Sequence, residues 1–500
     1  MTEPEPSLDP DSWAELRALG HRMLDDMFDH LAGLRAGPVW RPMPAEARAA
    51  LQGGPPRAGE DLGAVYEEFR ALVLPYATGN LHPGFMGWVH GGGTAVGMLA
   101  ELLAGGLNAN LGGRDHAPIL VERQVIAWTA ALLGLPATST GLLLTGSSMA
   151  NLVGVLLART AALGPEVRRH GIGGAKLAGY ASTAAHGCIP RAFEIAGLGR
   201  HALRLVPTDA EGRIDCAALA GQIARDRVSG VQPFLLIGTA GSVDIGATDD
   251  LARLAALARA ERLWFHVDGA FGALAACAPA LRPLLDGIEA ADSVALDFHK
   301  WAQVPYDAGC ILVREPAAAL ATFAQSLAYL QPAARGLAGG APWPCDIGPD
   351  LSRGFRALKV WLTLRAYGTE RIGAVIEHCC AVARALAARV DAEPALERLA
   401  PVPLNIVCFR HRVPAGWDAD AFNAAIVADV QESGRAAPST TIRDGRLAIR
   451  AAIVNHRTRV ADADALVAAV LEAGAARLAG MSPANDGTVL ARESIARDSM

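Results

Sequence analysis

The sequence predicts an α/β protein: a mainly parallel central sheet flanked by helices, with an N-terminal helical segment and a small C-terminal α+β domain. Three observations predict it. From about residue 95 to 315, short apolar runs alternate with helical stretches, the pattern of a sheet covered on both faces. Polar residues gather just after several of those runs. After Asp391 the order becomes strand, helix, strand, helix.

Residues 11–80 read as helices, opening with the amphipathic "SWAELRALGHRMLDDMFDHLAGL". Strands are predicted at 141–145, 177–182, 233–239, 263–267, 293–296 and 310–313, with helices such as 150–162 and 250–260 between them. Residues 316–350 are rich in Gly and Pro and read as loop; a long helix follows from about 351 to 367 and beyond. The C-terminal unit comprises the strand "NIVCFRH", a helix at 418–433, the strand "LAIRAAIV" and a helix at 462–474. The chain thus divides into a helical segment (1–95), a large domain (96–375), a small domain (376–480) and a loose tail (481–500). No internal repeat is present.

Composition removes several function classes. Hydrophobic residues make up 51% of the chain and charged residues 19%, enough apolar material for a large core. The net charge of −6 and the lack of a dense Lys/Arg run speak against nucleic acid as a partner. Residues 71–100 and 124–158 carry no charge, yet Gly, Pro, Ser, Thr and Asn interrupt both, so they read as buried elements and not as membrane spans. The acidic start "MTEPEPSLDPDSW" is not a signal peptide. Eight cysteines without a CxxC pair suit a reduced, cytoplasmic protein. There is no HExxH, and "GIGGAK" lacks the spacing of a P-loop, so no metal or nucleotide motif stands out.

In a parallel sheet, ligands bind at the carboxyl ends of the strands. Here five predicted strand ends are polar: Ser147 and Ser148; Thr183 and His186; Ser242; Asp268; and Asp297, His299 and Lys300. Each alone has an ordinary explanation, such as a helix cap for "TGSS". "TGSS" before a helix also makes an anion seat from backbone N–H groups. Only three of the 45 basic residues are lysine: Lys176, Lys300 and Lys359. A desolvated lysine can lose its proton and attack an aldehyde, which arginine cannot do. Lys300 near a buried carboxylate and a phosphate seat therefore suits a Schiff base to a phosphorylated aldehyde.

Five collinear motifs carry a family resemblance: "HPGFMGWVHGGG", "LLLTGSSMANLVGVLLAR", "AHGCIPRAFEIAGL", "HVDGAFG" with "ADSVALDFHKW", and "LSRGFRALKVWLTLRAYG". "GTAGSVDIGATDDL" fits between them. The chain resembles the pyridoxal-phosphate-dependent group II amino-acid decarboxylases. The resemblance implies a PLP-dependent transferase of fold type I, acting on an amino acid as a homodimer with active sites at the subunit interface. It implies that Lys300 forms the Schiff base with pyridoxal 5′-phosphate and that Asp268 pairs with the pyridine nitrogen. Ala270 and His186 would flank the ring. Ser147 and Ser148 would hold the phosphate, with His299 nearby, and Ser242 would take a place usually filled by threonine. His82, Trp88, His90, Asn110 and Arg114 would lie on the substrate side.

Two departures from the family pattern stand out. Residues 331–345, where these enzymes carry a proton-donating tyrosine, contain none, and "GGAPWPC" offers Trp343. His186 or another acid, or Tyr329, could return the proton; otherwise the product would be an aldehyde. The substrate-side stretches bring in His90, Asn108, Asn110 and Arg114. Arg114 could bind a substrate carboxylate, or pair with Asp115 in a loop outside the pocket. Rival readings are another fold-type I enzyme, such as an aminotransferase, and a non-enzymatic relative.

Overall fold

A computed structural model describes residues 6–325 and 331–480. The predicted tail at 481–500 lies outside the described residues. The chain enters through the helix Trp13–Gly33, whose first turn is closed by Ser12 Oγ accepting the Glu15 N–H at 3.3 Å. No residue of this helix is buried. A two-residue strand, β1 (Phe85–Met86), follows further on.

Seven strands build the large sheet: β2 (Thr140–Leu144), β3 (Leu177–Ser182), β4 (Leu203–Val206), β5 (Gln232–Thr239), β6 (Trp264–Asp268), β7 (Ser293–Asp297) and β8 (Gly309–Val313). Their order is β2-β8-β7-β6-β5-β3-β4, and β8 alone runs against the others. Helices cover both faces, so the inner strands read as unbroken apolar runs, "SVALD" in β7 for example, buried along its length. Strand β4 escapes prediction from sequence because it is an edge strand. Its half-exposed "LRLV" places Arg204 outward, where it pairs with Asp226 at 3.0 Å.

The small domain holds β9 (Leu396–Arg398), β10 (Ile406–His411), β11 (Ala437–Arg443) and β12 (Arg446–Ala452), and β1 completes its sheet in the order β1-β11-β12-β10-β9. Residues 85–86, expected within the helical segment, thus pair in parallel with β11. The long helix spans Arg356–Asp391 and bends at Gly368, which takes φ +70°. That value is open to glycine at no steric cost. Ala357, Val360, Ile372, Ile376 and Cys380 pack in the larger core, while Cys379, Val382, Ala383, Leu386 and Val390 pack in the small-domain core. The expected boundary at 375/376 falls inside this helix. Among the described residues, no helix is long and apolar enough to cross a membrane. All eight cysteines are free.

A buried ion pair ties the start of the long helix to the sheet. Glu122 accepts from Arg353 Nη1 at 3.0 Å and from the Leu143 N–H at 2.8 Å; Arg353 also donates to the Leu111 and Leu143 carbonyls. Removing one partner of such a pair leaves the other charge uncompensated. Glu122→Ala is expected to lower the unfolding free energy by about 3–5 kcal/mol in chemical denaturation. Adding Arg353→Met should recover part of that loss, since the two changes act on one interaction.

Candidate active site

The carboxyl ends of β2, β5, β6 and β7 open into one cavity of ≈ 420 Å³. Its floor is the turn after β7. There Lys300 Nζ lies 2.9 Å from Asp297 Oδ2, and Asp297 Oδ1 accepts the Ser147 N–H at 2.6 Å. One buried carboxylate thus joins the lysine to the first residue of the helix Ser147–Leu163. His299 Nδ1 accepts the Ala308 N–H at 3.0 Å, which leaves the proton of the neutral ring on Nε2, 3.6 Å from Asp297. Desolvation lowers the His299 pKa to about 4 against the pull of Asp297, so the ring is neutral at pH 7.

Backbone packing holds this turn in place. Gly309 leaves room for Gly146: a Cβ would sit 2.3 Å from Gly146 Cα. Above the lysine, the Gly91 N–H donates to the His299 carbonyl at 3.1 Å, and a Cβ at Gly91 would fall 2.4 Å from that oxygen. Gln303 clamps the same place, accepting the Gly92 N–H at 2.8 Å and donating to the Val454 carbonyl at 2.9 Å.

Asp268 ends β6 at the bottom of the cavity. Burial raises its pKa; the Lys300 and His186 charges, the Ala270 N–H and Asn151 oppose that shift. His186 lines the cavity, with Nδ1 accepting the Cys188 N–H at 3.2 Å. Ala270, Ser147 and Ser148 line it too. Ser242 does not: its buried hydroxyl accepts the Ala247 N–H at 3.1 Å within its own loop. Thr239, the last residue of β5, reaches the cavity instead, and its buried Oγ1 has no partner. Thr239 closes the predicted strand at 233–239 and Asp297 is among the polar strand ends, yet neither is given a cofactor role by the sequence; Tyr306 lies on a loop past the strand ends, where that rule does not reach.

On the substrate side, Trp88, His90 and Tyr306 line the cavity. His90 packs edge-on against Tyr306 at 5.6 Å, and Tyr306 lies 4.2 Å from the His299 ring. Desolvation, and then Asp297, raise the Tyr306 phenol pKa. Three expected residues lie elsewhere. His82 borders a separate cavity of ≈ 370 Å³ near His30. Asn110 Oδ1 accepts the Gly112 and Arg353 N–H groups at 2.9 and 3.0 Å, fixing its own loop. Arg114 stacks on the Trp343 ring at 4.8 Å. This also occupies Trp343, which is buried and donates to the Gly339 carbonyl at 2.7 Å. Tyr329 lies outside the described residues.

A lysine, a buried carboxylate and a helix start around one cavity fit a phosphorylated aldehyde cofactor. Residues 44–412 match the family model described as the pyridoxal-dependent decarboxylase conserved domain. The chain belongs to this family. It is 33% identical over 453 residues to an aromatic-L-amino-acid decarboxylase of Bacillus atrophaeus, covering 89% of this chain and 92% of that one. It is 29% identical over 463 residues to a phenylacetaldehyde synthase of Arabidopsis thaliana, covering 89% and 93%. A crystal structure of Oryza sativa TDC with PLP and tryptamine superposes with a TM-score of 0.86 at 26% identity, covering 94% of this chain and 100% of that one. The protein is a PLP-dependent amino-acid decarboxylase of fold type I, a carboxy-lyase. This supports decarboxylation over the aldehyde-forming, aminotransferase and non-enzymatic readings. The unpartnered Thr239 Oγ1 and the Ser147–Ser148 helix start are what a polar, anionic cofactor needs.

The His299 shift carries a pH signature. Between about 4 and 6.5 the unfolded chain binds this proton and the folded chain does not. The native contribution is therefore complete above pH 6.5 and is lost as the pH falls toward 4. His299→Asn is expected to lose less stability than the wild type between pH 6.5 and 4, measured by denaturant titration at each pH.

Proposed function

We propose that the enzyme decarboxylates an aromatic L-amino acid to its amine in a homodimer, with Lys300 holding the cofactor through its aldehyde carbon. The observation that carries the site assignment is that Lys300, Asp268 and the Ser147–Ser148 helix start open into one cavity. The helix start and His299 would hold the phosphate. His186 and Ala270 would face the two sides of the ring, and Thr239 would supply the hydroxyl expected from Ser242. Asp268 would keep the ring nitrogen protonated. Bound there, the cofactor supplies an electron-accepting ring for the pair left behind when the carboxyl group departs as carbon dioxide. A proton must then return to the same carbon. Tyr306 suits this task because it keeps its phenolic proton at neutral pH and borders the cavity; His186 is the second acid at hand.

The substrate class follows from the cavity walls. Trp88, His90, Phe271 and Tyr306 supply rings, and no arginine lines the cavity among the described residues. A substrate side-chain carboxylate would lack a partner there, at a substantial desolvation cost. The expectation of a polar pocket around Arg114 thus loses its support. Release of carbon dioxide from tryptophan, tyrosine or phenylalanine should exceed that from glutamate or 2,4-diaminobutyrate by about tenfold or more in kcat/KM. An opposite ranking would overturn the aromatic assignment. Amine and aldehyde are measured in the same assay, and amine should match carbon dioxide. Lys300→Arg should fold, lose the visible absorbance of the bound cofactor and release no carbon dioxide.

A second copy of the chain accounts for surface left bare in one copy. The helix Trp13–Gly33 has no fully buried residue, and its Trp13, Leu16 and Phe28 are exposed. The helix Ala95–Leu107 exposes Leu99, Leu102, Leu103 and Leu107 along one face. Apolar faces of this extent suit an obligate interface. Leu103→Glu should convert a dimer into monomer in sedimentation. The eight free cysteines suit a cytoplasmic setting.

A further inference from the structure

Behind Asp268, on the side away from the cavity, lies a chain of polar side chains that the reaction does not touch. Asn151, His266 and Ser293 are fully buried, each at 0% exposure. Trp264 Nε1–H donates to Ser293 Oγ at 2.8 Å. Ser293 Oγ and His266 Nδ1 are 2.8 Å apart, and His266 Nε2 lies 2.8 Å from Asn151 Oδ1. Asn151 Nδ2 lies 3.4 Å from Cys188 Sγ, and hydrogen bonding from the Asn151 side chain opposes the burial-driven rise of the Asp268 pKa. Space for this has been cut into the helix Ser147–Leu163: a Cβ at Gly154 would fall 2.6 Å from His266 Cε1 and 2.7 Å from Nδ1. The helix that seats the anion at its first turn therefore presents Asn151 one turn later and clears the imidazole at the next.

The chain has one consistent direction. Trp264 Nε1–H can only donate, so Ser293 Oγ accepts there; Asn151 Oδ1 can only accept, so it takes the Nε2–H of a neutral His266 and leaves Nδ1 to accept the Ser293 proton. Burial lowers the His266 pKa to about 3, so the ring is neutral with its single proton on Nε2. That proton goes to Asn151 Oδ1, which leaves the Asn151 amide N–H groups for Cys188 Sγ and the Asp268 carboxylate. Every bond thus ends in a donor aimed at a carboxylate, and hydrogen bonds to the charged form favour it.

We propose that Asn151, His266 and Ser293 are positioning residues that hold the Asp268 carboxylate ionised and aimed at the ring nitrogen of the cofactor. This rests on the assignment of Asp268 to that nitrogen made above. The other groups facing Asp268 are Lys300 and His186 on the cavity side and the thiol of Cys188, whose pKa burial raises to about 12. Lys300 is committed to the cofactor and His186 to the ring face, so the Asn151 chain is the fixed support behind the carboxylate.

Two readouts test it: the dissociation constant of pyridoxal 5′-phosphate, and the pH midpoint of the visible absorbance of the bound cofactor. Asn151→Leu and His266→Phe remove the donors while keeping volume. Each should weaken cofactor binding about 10–100-fold, the usual scale for outer-shell support, and move the pH midpoint. His266→Gln keeps an N–H near the Nε2 position and should stay within about threefold of wild type, as expected if the hydrogen bond and not the ring matters. Ser293→Ala, the mildest change, frees the imidazole tautomer and should shift the midpoint in the same direction as His266→Phe. It keeps the test decisive if the larger changes prevent folding. Unaltered cofactor affinity and pH midpoint in the folded variants, with only a lower melting temperature, would overturn the proposal. Asp268→Asn separates the two levels: if it binds and absorbs as wild type, the assignment of Asp268 itself fails; if it alone is impaired, only the supporting chain fails.

Discussion

Asp268 sits at the bottom of the cavity with its carboxyl group out of water, where desolvation by itself favours the neutral acid. The role proposed for Asp268 needs the opposite state, because a protonated ring nitrogen would require an anionic partner. Much of the large domain can be understood as meeting that constraint. Lys300 and His186 bring charge from the cavity side. The Ala270 N–H donates at 3.2 Å from the following turn, and Asn151 approaches from the helix behind. Parallel strands make this possible, since they deliver five chain segments to one edge with their polar residues facing a shared space.

The same edge explains the unusual density of glycine and buried polar groups around Lys300. Three backbones meet there: the turn after β7, the segment 88–93 and the Gly146 turn. Gly91 and Gly309 let them approach closely where a side chain would collide, with the His299 carbonyl in one case and with Gly146 in the other. Gln303 then couples the turn to the small domain through Val454. The lysine is thereby held by the packing of two domains and not by its own strand alone. Asp297 gives it an ionic partner at 2.9 Å that also accepts the first N–H of the helix Ser147–Leu163. The lysine and the start of the helix Ser147–Leu163 are in this way linked through one carboxylate.

The central strands were legible in the sequence because strands buried on both faces must be apolar throughout; 177–182 coincides with β3, and the others agree within a residue or so at each end. Strands β4 and β11 were not, for the converse reason. One lies at an edge with a charged residue facing out, and the other, "APSTTIR", turns a polar face to solvent beyond its first three residues. β4 pairs with β3, and β11 pairs with β12 across the Asp444–Gly445 turn and with the distant β1. At the site, Thr239 and Ser242 show the same limit. Both are hydroxyl residues near one strand end, and only the loop geometry that ties Ser242 to Ala247 decides which faces the cavity.

By itself the sequence determined the fold class and the family, and it named most of the polar residues that meet in the cavity, because these depend on local patterns: apolar runs, glycine before a helix, a lysine among arginines. Tertiary structure alone decided the rest. Arg114 and Asn110 carry the right chemistry for a polar substrate pocket, yet their side chains are spent on Trp343 and on the loop near Arg353. His266 and Ser293 look like ordinary strand residues until the fold sets them 2.8 Å apart behind Asp268. A side chain's role depends on what it meets across the sheet, and such contacts between distant residues leave no spacing in the sequence to read.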